Sequence, residues 1–79
     1  MNPSNGHPDA DSIVERLTQR HGELIGGRAL ARCLGYRTDR AFQLAARSGT
    51  LPIVTFELSG RRGRYAKTES VARWLASLG

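Results

Sequence analysis

The chain has 79 residues, a formal net charge of +5, one cysteine and two histidines. That length holds one domain with a small core, the single cysteine excludes an internal disulfide, and His7 and His21 lie too far apart to suggest a zinc site. No stretch is apolar enough to span a membrane, and the start MNPSNGHPDAD lacks the basic and apolar parts of a secretory signal, so a soluble, cytoplasmic chain is expected.

Residues 1 to 10 are rich in Pro, Gly, Ser and Asn and read as a disordered tail, which leaves residues 11 to 79 as the domain. SIVERLTQRH, residues 12 to 21, predicts a first helix. Ser12 and Glu15 have capping-box spacing, Ile13, Val14 and Leu17 share a side, and Gly22 ends it. GRALARCL, residues 27 to 34, predicts a second helix with Leu30 and Leu34 on one face, Cys33 as a small core residue and Gly35 as the stop. Thr38 then caps a third helix over residues 39 to 48, with Asp39 in its first turn and Gly49 at its end. Asp39, Arg40, Gln43 and Arg47 fall within an arc of about 100°. Phe42, Ala41, Ala45 and Ala46 lie opposite, and Leu44 sits at the boundary.

Pro52 blocks further helix, and the run LPIVTFEL predicts a strand. SGRRG supplies a turn whose Gly60 and Gly63 tolerate positive φ, and RYAK returns as the second strand of a hairpin. TESVARWLASL predicts a last helix capped by Thr68, with Val71, Trp74, Leu75 and Leu78 as its core stripe.

The charge is not spread evenly. Residues 28 to 67 hold nine basic side chains against Asp39 and Glu57, a local excess of +7, and eleven of the twelve basic residues are arginine. Arginine's planar donor fork matches phosphate and guanine edges. A turn with three arginines can also serve only to keep an edge strand soluble. Its coincidence with a polar helix face in one basic segment points to a polyanion. The chain has no carboxylate pair, metal-ligand cluster, nucleophile arrangement or phosphate loop, so neither an enzyme nor a cofactor is expected.

GGRALARCLGYRTDRAFQLAARSGTLP, followed by an apolar strand, an Arg/Gly turn and a helix containing ARWL, resembles the small winged helix-turn-helix proteins of the excisionase and MerR-like group over residues 24 to 78. The strand and hairpin are also similar to those of pyocin-activator-type regulators. The resemblance implies an α+β fold, mostly helical, with one two-stranded hairpin as a wing. It implies double-stranded DNA as the partner. Residues 39 to 48 would then lie in the major groove, with Arg40 and Gln43 reading bases. Arg37, Thr38, Arg47 and Arg28 would hold the phosphate backbone. Arg61, Arg62 and Arg64 would enter the minor groove, Arg62 foremost.

Two roles fit that resemblance. One is a recombination directionality factor working beside a tyrosine recombinase; the other is a small transcriptional regulator, and both imply a location at the nucleoid. A monomer or weak self-association is expected without DNA, because no long dimerisation helix is visible, with neighbouring protomers meeting on DNA. RNA binding and a protein-docking role remain as alternatives, although single-strand binders need exposed aromatic platforms.

Overall fold

The structure, a computed structural model, describes residues 10–78. It is an α+β domain with the element order α1 (Ala10–His21), β1 (Leu24–Gly26), α2 (Gly27–Cys33), α3 (Asp39–Ser48), β2 (Phe56–Glu57), β3 (Arg64–Lys67) and α4 (Thr68–Leu78). The tail expected over residues 1 to 10 lies outside the described residues except for Ala10, which opens α1. Ser12 is therefore inside that helix, and the start expected at residue 12 comes two residues late.

The sheet has three antiparallel strands in the order β1-β3-β2, which corrects the expected two-stranded hairpin. The added strand is β1, which pairs Leu24 with Lys67, Ile25 with Ala66 and Gly26 with Tyr65. Three residues, the last a glycine, are too few to show alternation in sequence. On the other side of β3, only Phe56 pairs with Tyr65 and Glu57 with Arg64. The long strand expected over LPIVTFEL thus contracts to two residues. Pro52 has no N–H for a ladder, and β3 itself is four residues long.

The core lies between the sheet and the helices. Ile25, Leu30, Ala31, Leu34, Phe42, Ala66 and Val71 are its buried members, and Trp74 and Leu75 pack against it. Cys33 is half-buried at its margin. Leu78, the expected last member of the α4 stripe, is 64% exposed, because α4 runs beyond the core there, while Ala72 is fully buried instead. Thr68 also departs from its expected capping role. It is buried, its hydroxyl donates to the Gly22 carbonyl at 2.6 Å, and its backbone N–H donates to the Glu23 carbonyl at 2.8 Å. The start of α4 is thereby fastened to the link between α1 and β1.

Candidate nucleic-acid interface

The connection between α2 and α3 is built from local backbone chemistry. Past Cys33, Gly35 takes a φ of 92° and donates to the Arg32 carbonyl, while Tyr36 donates to the Ala31 carbonyl at 2.9 Å. This pair of bonds is a Schellman ending, which reverses the chain without leaving the last carbonyls unpaired. Tyr36 then sets its ring edge-on to Phe42, centroids 5.8 Å apart, which fixes the turn to the next helix. Thr38 caps α3 as expected, its hydroxyl oxygen accepting from the Ala41 N–H at 3.0 Å. The hydroxyl proton stays available to an acceptor such as phosphate. Gly49, at φ 71°, ends α3, and Thr50 donates to the Ala45 carbonyl.

Side chains of α3 sort differently from the sequence-based arc. Phe42 is buried, Ala45, Ala46 and Gln43 are half-buried, and Arg40, Ala41, Leu44, Arg47 and Ser48 are exposed. Residues 40, 44 and 47 share one face, since they recur at helical spacing. The centre of the open face is therefore Arg40, Leu44 and Arg47, and Gln43 stands at its edge. Ala41, expected on the side opposite the polar arc, is exposed instead, and Leu44, expected at the boundary, is 50% exposed. The spacing 40, 44, 47 was the signal that could have found Leu44. The Ser48 hydroxyl is occupied by the Leu44 carbonyl at 2.8 Å.

Arg28, Arg37 and Thr38 come together. With Arg32 and Asp39, they line a cleft of about 210 Å³ between α2 and the start of α3. Arg32 is a further arginine of this cluster, and only the fold brings it beside Arg37 and Thr38.

The hairpin loop spans residues 58 to 63. The Arg61 N–H donates to the Leu58 carbonyl at 3.1 Å, and Gly60 takes a φ of 78°, so the hydrogen-bonded turn is centred on Ser59 and Gly60. Arg62 follows that turn rather than sitting at its centre. Both Arg61 and Arg62 are exposed. Arg64 is not presented in the same way. Its Nε donates to the Thr55 hydroxyl at 2.8 Å, its Nη2 reaches the Thr55 carbonyl at 3.5 Å, and its Nη1 lies 3.6 Å from the Glu57 carboxylate. Arg64 clamps the base of the hairpin that displays Arg61 and Arg62.

Alpha2 links these parts. A Cβ placed on Gly63 would stand 3.9 Å from the Gly27 Cα, so the end of the hairpin loop lies beside the start of α2. Along the cleft lined by Arg28 and Arg32, α2 also borders the start of α3. Among the described residues the two ion pairs are Arg64–Glu57 and Arg73–Glu69. Arg28, Arg32, Arg37, Arg40, Arg47, Arg61 and Arg62 are exposed and have no ion pair there. Such a surface can donate to phosphates and to guanine N7 and O6. Among the described residues, no group of three or more His, Cys, Asp or Glu could hold a metal, and no helix is long and apolar enough to cross a membrane. No family model, curated protein or solved structure matches the chain.

Proposed function

We propose that the chain is a sequence-specific double-stranded DNA-binding protein of winged helix-turn-helix type. In this reading α2 and α3 are the helix-turn-helix, α3 enters the major groove, and the hairpin is the wing. The observation that carries it is the row of exposed arginines without ion pairs on α2, the turn, α3 and the hairpin loop. Arg40 reads a base edge, Gln43 reaches one from the side of the helix, and Leu44 and Ala41 offer apolar contact to thymine methyls. Arg28, Arg37, Thr38 and Arg47 hold phosphates, and Arg61 and Arg62 enter the minor groove. Arg64 supports the wing rather than entering the groove.

A duplex suits this surface better than a single strand. All five aromatic residues, Tyr36, Phe42, Phe56, Tyr65 and Trp74, are buried or half-buried, so no exposed ring offers a stacking platform. The resemblance to excisionases supports a role as a recombination directionality factor, with a small transcriptional regulator as the second role of the same fold. Selection of bound duplexes from a random pool, followed by a bending assay on the selected site, tests both levels. A defined site with bent DNA and protomers side by side is expected for the first role. Failure to enrich any sequence would overturn sequence-specific recognition.

A further inference from the structure

Arg28 and Arg32 are four residues apart on α2 and border two depressions. One is the cleft shared with Arg37, Thr38 and Asp39. The other is an open groove of about 450 Å³ between the end of α1 and α2, lined by Arg20, His21, Arg28, Ala29 and Arg32. Among the described residues, no carboxylate lines this groove. Arg20 comes close to α2: burial pushes the Cys33 thiol up from its ordinary pKa, and the charge of Arg20 partly offsets that. Arg20, Arg28 and Arg32 have no ion pair among the described residues.

Three guanidiniums and an imidazole on two adjoining helices favour an anionic occupant. The groove is open, which suits a chain of phosphates passing over it. Its continuity with the first cleft decides which chain. A backbone strand that runs past Arg37 and Thr38 at the start of α3 meets Arg28 and Arg32 next, then Arg20 and His21.

We infer that Arg20, His21, Arg28 and Arg32 form a second phosphate-backbone contact, on the flank of the same duplex that α3 and the hairpin loop engage. This rests on the DNA-binding reading above and extends its footprint to α1. That reading gives neither Arg20 nor Arg32 a DNA contact of its own, so these two carry the test. The salt dependence of binding is measured for the wild type, the Arg20→Ala/Arg32→Ala variant and the Arg20→Lys/Arg32→Lys variant. Each is run on a selected duplex with and without flanking base pairs, with a thermal melt as the folding control.

On the flanked duplex, the alanine pair should flatten the salt slope by about two units, since each phosphate contact contributes about 0.9. It should leave the ranking of base sequences unchanged and should lose less of the slope on the unflanked duplex. The lysine pair keeps the charge and should keep most of the slope. Equal slopes for wild type and alanine pair on the flanked duplex would overturn the inference and leave the underlying reading standing. Loss of slope in the lysine pair as well would assign the effect to packing and also overturn it. A wild type without salt-dependent duplex binding would overturn the underlying reading itself.

Discussion

The ring of Tyr65 lies where a Cβ on Gly26 would be, directly across the β1–β3 ladder. A glycine in a strand leaves a gap in the side-chain layer, and a cross-strand aromatic fills it. The pair does more than fill space. Gly26 immediately precedes α2, and Tyr65 also pairs with Phe56 of β2. One contact therefore sets the sheet, the start of α2 and the hairpin relative to each other. Gly26→Ala must push the ring aside, at an expected cost of about 1–3 kcal/mol as overpacking. A thermal or urea melt checks this, and an unchanged midpoint would contradict the contact.

Arg64 and Arg62 should separate cleanly. Arg64→Ala removes the bonds to Thr55 and should destabilise the fold by about 1 kcal/mol, because a hydrogen bond contributes on that order. Arg62→Ala should leave the melt unchanged and reduce the salt slope of duplex binding by about one unit. Melts and salt titrations of both variants measure the difference. Equal effects on the melt would contradict the clamp assigned to Arg64.

Thr68 offers a test of the fold away from the basic surface. Its buried hydroxyl donates to the Gly22 carbonyl, so Thr68→Val leaves that carbonyl without this partner in nearly the same volume. The expected loss is about 1–3 kcal/mol. Binding per folded molecule should not change, which denaturation and anisotropy together would show.

On α3, Arg40→Ala should cost about 1–3 kcal/mol at one base pair and relax preference there. Leu44→Ala should alter preference at a thymine with little effect on the melt, since Leu44 is half exposed. Binding measured across a panel of single-base variants of the selected site checks both. Uniform weakening across the panel would contradict base reading.

The Cys33 thiol reports on the approach of α1 to α2. Burial raises its pKa, so the folded state favours the neutral thiol. That contribution to stability is present below the ordinary thiol pKa and declines as pH rises through the raised one. Arg20 works against the rise, so Arg20→Ala should slow alkylation of Cys33 at mildly alkaline pH. Faster alkylation in the variant would contradict the proximity.

Much of this molecule was legible in local chemistry. Thr38 and Gly49 bound α3 as their side chains and φ preferences require, and Gly35, Gly60 and Gly63 take the positive φ that their positions need. What escaped was tertiary. Nothing in Leu24, Ile25 and Gly26 announces a strand, because its partner is the distant RYAK, where Ile25 pairs with Ala66. Thr68 looked like a cap because its sequence neighbours suit one; its partner is the distant Gly22. Arg64 is indistinguishable in sequence from Arg61 and Arg62, and only the fold brings Thr55 and Glu57 beside it. Leu44 falls at the boundary of the two faces by helical phase, and only the packing that buries Phe42 leaves it half exposed.

The exposed arginines are proposed to engage duplex DNA. Fluorescence anisotropy on a random-sequence DNA duplex, the matched single strand and an RNA duplex, across a range of salt, tests it most directly. The DNA duplex should be bound most tightly, with an affinity that falls steeply with salt. Duplex binding that is absent, or insensitive to salt, would contradict it and leave the arginines as a solubility device or a protein-docking surface.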